Sequence, residues 1–212
     1  MEYIALKFDM IGSRRLHERD DVQKHFLLMA AEINKKFAEV LEAEFIVTHG
    51  DEAQALLKRA QAPMVFRLFE HISISMKEVS FRCGVGLGTL STSVQEKAIG
   101  MDGIAWQNAK EAVDNAKKKR QTIYFCGFDP LLQTHLNALG NLLCHIQSRW
   151  TKEQIETILL LSQLPTQKEI AAFLEISEAA VSKRLAAAAW HHYYAGRQSL
   201  ELHLRQVAET KI

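Results

Sequence analysis

The sequence predicts an α+β fold, in which a split βαβ, ferredoxin-like sandwich is followed by an all-helical part. Up to about residue 126, strand-like and helix-like segments follow in the order β-α-β-β-α-β, with one added α-β. After Asp129 and Pro130 no strand pattern returns, and apolar residues recur at helical spacing. We therefore predict an α+β domain over residues 1–128 and a helical domain over 129–212.

Local patterns predict each element of the first domain. Strands are indicated by β-branched and aromatic residues, helices by apolar residues at every third or fourth position, and turns by glycine. Pro63 suits the first turn of a helix. The predicted elements are strand 2–8, turn 9–15, helix 20–42, strand 45–48, turn 49–52, strand 53–57, helix 63–76, strand 81–87, helix 98–119 and strand 122–126.

The predicted order of elements brings two distant carboxylates together. In a split βαβ fold the first strand lies beside the third and antiparallel to it. The end of the first strand, at Asp9, then lies next to the start of the third strand, at Asp51. We therefore expect Asp9 and Asp51 to meet at one edge of the sheet.

Asp9 and Asp51, with Glu52, are the candidate metal ligands. Mg²⁺ takes oxygen ligands, and one or two carboxylates with phosphates and water satisfy it. A glycine turn ahead of a helix can also bind phosphate through its backbone N–H groups. The residues of that turn are Met10, Ile11, Gly12 and Ser13. The alternative interpretation is that both aspartates only form turns.

Four segments resemble the class III nucleotide cyclases. They are FDMIGS (8–13), THGDEAQA (48–55), RCGVGLG (82–88) and GIAWQNA (103–109). The whole chain resembles the SatD family, through DMIGSR (9–14), GDE (50–52) and IGMDG (99–103). The resemblance implies a palm-type domain that binds Mg²⁺ and a nucleoside triphosphate or another nucleotide, with Arg14 and Gly50 at the nucleotide. It also implies a homodimer, because cyclase sites are built between two palms.

The chain departs from the cyclase pattern where catalysis is concerned. Gln107 stands at the cyclase asparagine, Glu111 at the arginine of the transition state, and Val47 near the adenine-reading lysine. A phosphoryl transition state needs fixed positive charge. We therefore favour nucleotide binding without turnover. The alternative is a Mg-dependent nucleotide cyclase or nucleotidyltransferase.

Two further features favour structural roles. Gly84, Gly86 and Gly88 are not followed by the helix of a dinucleotide fingerprint, which favours a bulged strand packed closely on a helix. The basic run 117–120 ends a predicted helix, where cations complement the helix dipole in solvent. A phosphate contact by this run is the alternative.

The segment TQKEIAAFLEISEAAVSKRL (166–185) resembles the DNA-binding helix-turn-helix of bacterial regulators, and we assign the motif to residues 166–190. Thr166 and Glu169 form a capping box, and Glu175 replaces the usual turn glycine. The alternative is a helix pair used for packing or dimerisation. The candidate DNA-contacting residues are Thr166, Gln167, Ser177, Glu178, Ala179, Ser182, Lys183 and Arg184.

Composition limits the function classes. The net charge is +1, and the chain from residue 151 onward balances seven basic against seven acidic residues, so DNA affinity must come from a local patch. Three cysteines without a CxxC spacing, no signal peptide and no long apolar run favour a reduced cytoplasmic protein without a membrane partner. We expect a transcription regulator in which a nucleotide-binding palm is coupled to a DNA-binding helical domain.

Overall fold

The chain of 212 residues is described by a computed structural model, which covers residues 1–12, 19–48 and 50–209. Strands and helices follow one another in the predicted α+β order. The elements are β1 Glu2–Ile11, α1 Arg19–Lys36, β2 Leu41–Val47, β3 Glu52–Lys58, a 3₁₀ helix Arg59–Met64, α2 Val65–Ser75, β4 Ser80–Thr89, α3 Ile104–Lys119, β5 Ile123–Cys126, α4 Pro130–Ser148, α5 Lys152–Leu160, α6 Gln167–Phe173, α7 Glu178–Ala187 and α8 Trp190–Glu209.

The five strands form one mixed sheet in the order β2-β3-β1-β4-β5. The central strand β1 is antiparallel to β3 and β4, and β5 is parallel to β4. The first four strands therefore have the split βαβ arrangement, which confirms the predicted neighbours of β1. Helix α3 packs on β1, β4 and β5.

The predicted turn at residues 9–15 is wrong at its start, because β1 continues to Ile11. The last residues of β1 are hydrogen-bonded on both sides: Met10 N–H donates to the carbonyl oxygen of Asp51 at 2.8 Å, and Met10 and Ile11 pair with β4. Hydrogen bonds on both sides stabilise the extended conformation of the backbone, so the turn does not begin at residue 9. Asp9 is consequently a strand residue.

Two predicted helices are shorter than their apolar patterns suggested. Helix α1 ends at Lys36, and β2 begins earlier than predicted, at Leu41. Helix α3 begins at Ile104, since Gly103 ahead of it has φ 142°, a value that L side chains rarely adopt. Pro63 lies inside the 3₁₀ helix instead of opening an α-helix.

The three alternate glycines of β4 allow α3 to pack directly on the sheet. A Cβ atom at Gly86 would lie 2.2 Å from the carbonyl oxygen of Ala105, and one at Gly84 would lie 2.3 Å from that of Ala109. The expected close packing is confirmed. The expected bulge is wrong, because β1 and β4 pair without a register shift.

The described chain divides into two compact units. The first contains Met1–Asn141 together with the chain from Leu200 onward, and the second contains Leu142–Ser199. The second unit is helical, and its core includes Trp150, whose Nε1 donates to the carbonyl oxygen of Ala188 at 2.8 Å, and the fully buried Tyr193. The domain boundary at 128/129 stays a prediction.

Cys83, Cys126 and Cys144 are buried, and none of the three forms a disulfide. Burial raises the pKa of the Cys126 thiol to about 11, with a further contribution from the nearby carboxylate of Glu111. This thiol is therefore a packing group and not a nucleophile. None of the described helices combines the length and the apolar composition that a bilayer crossing requires.

Candidate functional site

The candidate site is the end of the sheet where β1 finishes and β3 begins. The antiparallel register places Asp9 opposite Glu52, so the two side chains leave the sheet on the same face. The backbone of Asp51 is bound to β1 through Met10, as described above. The expected meeting of these carboxylate-bearing residues at one edge of the sheet is confirmed at the level of the backbone.

Asp9 is held by two cationic side chains. Its Oδ2 atom accepts a hydrogen bond from Nη1 of Arg82 at 3.1 Å, and its Oδ1 atom lies 3.3 Å from Nζ of Lys117. The Asp9 side chain is only 16% exposed, Arg82 is 23% exposed, and Lys117 is 44% exposed. The site thus has an ion triplet, which combines one carboxylate with two positive charges from β4 and α3.

The phosphate-binding turn differs from the expectation. The N–H group of Met10 is used in the sheet, and its side chain is buried. Ile11 also belongs to β1, and Gly12, with φ 75°, is the first residue beyond the strand. Met10 therefore cannot offer its N–H group to a phosphate without breaking a sheet hydrogen bond. Ser13 and Arg14 lie outside the described residues.

The hairpin between β2 and β3 fixes the position of Asp51. Thr48 N–H donates to the carbonyl oxygen of Glu52 at 2.9 Å, which closes the turn. Gly50 has φ 69°, a left-handed conformation that favours glycine. Asp51 and Glu52 are both half-buried at this turn.

The side chains that the structure describes at this sheet end have the chemistry of magnesium ligands, but they do not form a complete metal site. Carboxylate oxygens are suitable ligands, and Mg²⁺ often uses only one or two of them. Among the described residues, however, no three His, Cys, Asp or Glu side chains converge as a metal cluster. Asp9 and Asp51, with Glu52 beside them, would hold such an ion. The ion would bring positive charge to the phosphates of a bound nucleotide.

Helix α3 carries two of the three positions at which the chain departs from the cyclase pattern. Gln107 and Glu111 are exposed, and Asn108 turns inward, where its Nδ2 donates to the carbonyl oxygen of Leu87 at 2.7 Å. Glu111 accepts a 3.4 Å hydrogen bond from Asn115. The positive charge that α3 places at this end of the sheet is that of Lys117, near the C-terminus of the helix.

Sequence reasoning missed Arg82 and Lys117 as parts of this site. Arg82 could have been found, because the split βαβ order places β4 beside β1, and the register sets Arg82 directly opposite Asp9. No pattern in the sequence indicated that Lys117 would lie beside Asp9. All four residues of the basic run 117–120 are exposed, as expected, and two of its lysines also make side-chain contacts: Lys117 pairs with Asp9, and Nζ of Lys119 lies 2.5 Å from the hydroxyl of Tyr124.

In the second unit, α6 and α7 occupy the segment proposed to contact DNA. The capping box is present: Thr166 Oγ1 accepts from Glu169 N–H at 3.2 Å, and the Glu169 carboxylate accepts from Thr166 N–H at 3.0 Å. Ser177 Oγ caps α7 by accepting from Ala180 N–H at 3.1 Å. Glu175, between the helices, has φ 55°. The hydroxyls of Thr166 and Ser177 are therefore used within the protein.

Arg184, one of the candidate DNA-contacting residues, does not project away from the protein. Its Nη1 lies 3.3 Å from the hydroxyl of Thr157 and 4.0 Å from the carboxylate of Glu156, and its side chain is only 27% exposed. Arg184 is thus turned toward α5. Of the remaining candidates, Gln167 is half-buried, and the exposed ones are Glu178, Ala179, Ser182 and Lys183.

A family model described as the SatD family matches residues 3–203. No curated protein matches the chain. Among solved structures, a bacterial light-regulated adenylyl cyclase is 14% identical with a TM-score of 0.46, over 59% of this chain and 43% of that one. The catalytic core of a rhodopsin-guanylyl cyclase with converted specificity, in complex with ATPalphaS, is 15% identical with a TM-score of 0.39, over 53% of this chain and 71% of that one.

Proposed function

The chain belongs to the SatD family, and on this premise we propose that it binds a nucleoside triphosphate with a divalent cation at the sheet end around Asp9. The observation that carries the proposal is the register between β1 and β3. It aligns Asp9 with Glu52 and ties β1 to Asp51. Oxygen ligands from two adjacent strands are thereby available to one cation.

The ion triplet supplies the second part of the proposed site. Triphosphates are recognised by fixed cations, and Arg82 and Lys117 lie next to the proposed metal ligand. Lys117 is the more exposed of the two and has the longer contact. We expect Lys117 to leave Asp9 and contact a phosphate when the cation takes its place.

The test is calorimetric titration of the full chain with ATP and with GTP, each in Mg²⁺ and in EDTA. We expect binding in Mg²⁺ that weakens at least about tenfold in Asp51→Asn and in Asp9→Asn, since each loses a charged oxygen ligand. Asp114→Asn, on the exposed side of α3, is the control and should bind like the parent. Binding that is equal in all four proteins, or absent altogether, would refute the proposal.

A Mg-dependent nucleotide cyclase or nucleotidyltransferase is the second candidate. The observation in its favour is the positive charge that Arg82 and Lys117 bring to the site, because a phosphoryl transition state requires such charge. Incubation with ATP or GTP and Mg²⁺ or Mn²⁺, followed by chromatography, tests it. Cyclic nucleotide or pyrophosphate that disappears in Asp51→Asn supports turnover. Binding without any product leaves the binding function alone.

DNA binding by α6 and α7 remains a prediction for the second unit. That the protein is a cytoplasmic homodimer is likewise a prediction. The turned-in Arg184 leaves Lys183 as the cation for phosphate contact on the exposed face of α7. In a mobility-shift assay we expect Lys183→Ala to abolish binding and Arg184→Ala to change it much less. The absence of any shift for the parent protein at physiological salt would argue against DNA as a partner. Light scattering tests the dimer.

A further inference from the structure

The first unit has a cavity of about 510 Å³ at the opposite end of the sheet from Asp9. Leu87, near the end of β4, and Arg59, directly after β3, line it, and both lie near the beginning of β1. Its other walls come from the first turns of α4 and the last turns of α8. The cavity is thus separate from the proposed nucleotide site.

Two histidines, one from each helix, face each other at this cavity. The ring centroids of His135 on α4 and His203 on α8 are 5.8 Å apart, with 35° between the ring planes. Zn–N bonds are about 2.1 Å long, so two imidazoles on a common ion have centroids roughly 5 to 6 Å apart. The observed centroid distance of 5.8 Å falls within this range.

Both helices are anchored close to these histidines. Near His135, the side-chain amide of Asn137 accepts from Phe125 N–H at 2.8 Å and donates to the Phe125 carbonyl at 3.2 Å. Near His203, Glu201 accepts two hydrogen bonds from Arg67, at 2.8 and 2.7 Å. A metal site gains affinity when its ligands are held in place before the ion binds.

The charges around the cavity do not oppose a cation. Among the lining residues that the structure describes, Arg59 is the one permanent cation, and its guanidinium is paired with the Glu2 carboxylate and with the carbonyl oxygen of Val207. Asp129 adds a negative charge to the lining. The Oδ1 atom of Asp129 accepts hydrogen bonds from the N–H groups of Leu131 and Leu132 in the first turn of α4. These N–H groups are therefore not available to bind an anion.

We propose that His135 and His203 together bind one divalent transition-metal ion, such as Zn²⁺, Ni²⁺ or Cu²⁺, at this cavity. Imidazole nitrogen suits these ions and not Mg²⁺, which prefers oxygen. In the described part of the chain no third His, Cys, Asp or Glu completes the set. The remaining coordination positions are therefore filled by water or by a donor atom of a small molecule in the cavity.

The test is titration of the full chain with ZnCl₂ and, separately, with NiCl₂, followed by calorimetry. We expect one ion per chain at this site, and a loss of affinity of at least about tenfold in His135→Ala and in His203→Gln. His191→Ala with His192→Ala is the matched control, because it removes an adjacent histidine pair from the other unit and should keep this binding. Mg²⁺ should produce no heat at this site.

Circular dichroism of the metal-free variants shows that each is folded before titration. Binding of Zn²⁺ that survives both single substitutions, or is lost in the His191 and His192 control instead, would overturn the proposal. The absence of binding at millimolar metal would also overturn it. None of these outcomes depends on nucleotide binding, since Asp51→Asn lies at the other end of the sheet and should bind Zn²⁺ normally.

Discussion

At the scale of single residues, Asp9 shows how a carboxylate can serve two purposes. It is mostly buried, and two cations balance its charge. A buried carboxylate without partners is costly, so the loss of either cation should destabilise the fold in the absence of any ligand. The same oxygens are the proposed metal ligands, and the exposed Lys117 is the partner that can be exchanged.

The two cations of the triplet should differ in their contribution to stability. Arg82→Met leaves Asp9 with one exposed partner, and we expect a loss of about 1–2 kcal/mol in the free energy of unfolding. Lys117→Met should cost less than about 1 kcal/mol, because solvent screens this exposed pair. Urea unfolding measures both. Equal losses would contradict the distinction.

A second residue-scale prediction concerns the glycines beneath α3. Gly86→Ala would place its Cβ 2.2 Å from two backbone atoms of α3, so the helix must shift, and we expect a loss of about 2 kcal/mol or more. Gly196→Ala is the control, because its Cβ would meet only a flexible side-chain atom of Leu143 at 3.0 Å. Thermal unfolding of the two variants should therefore differ clearly, with Gly86→Ala melting lower.

At the scale of elements, the connection between α6 and α7 has an unfavourable backbone conformation. Glu175 has a left-handed backbone, which costs a residue with a Cβ about 1 kcal/mol relative to glycine. We expect Glu175→Gly to raise the free energy of unfolding by about 0.5 kcal/mol or more, after the larger chain entropy of glycine is subtracted. Glu175→Ala keeps the Cβ, so it should not stabilise the protein in the same unfolding experiment.

The contact between α1 and α2 should weaken in acid. Burial lowers the pKa of His71, and the ammonium group of Lys36, 3.3 Å from Nδ1, acts in the same direction, while Glu32 and Glu70 oppose it. Nε2 then donates to Glu32 at 2.9 Å, as a neutral imidazole can.

The unfolded chain therefore takes up a proton near the ordinary pKa of 6.5, before the folded chain does. Stability conferred by neutral His71 is present above pH 6.5 and falls as the pH drops below it. Urea unfolding at pH 7.5 and at pH 5.5 should show a smaller acid loss in His71→Gln than in the parent. The same loss in both proteins would exclude this origin.

At the scale of the whole molecule, the chain passes from one compact unit to the other within a helix each time. Both α4 and α8 contain residues of each unit, because the unit boundaries fall within them at Asn141 and Leu200. A helix that frays in one unit loses hydrogen bonds near the other, so we expect calorimetric unfolding in a single transition. Two separate heat-absorption peaks would contradict this expectation. Glu201→Gln should lower the single transition without splitting it.

The sequence by itself determined the order of the elements up to β5, the neighbours of the first strand and the cap of α6, because these depend on local patterns and on a few topological rules. Apolar β-branched and aromatic residues identified β1, and the split βαβ order brought Asp9 to the start of β3. Thr166 and Glu169 form their capping box from residues only three apart.

Only the tertiary structure decided which side chains meet across those elements. The pairing of Lys117 with Asp9, the inward turn of Arg184 and the facing imidazoles of His135 and His203 join residues from different elements. Each depends on where packed helices place the ends of long side chains, and local patterns do not encode that placement. The end of β1 also depended on the tertiary structure, since β1 extends as far as β4 and the backbone of Asp51 supply hydrogen bonds.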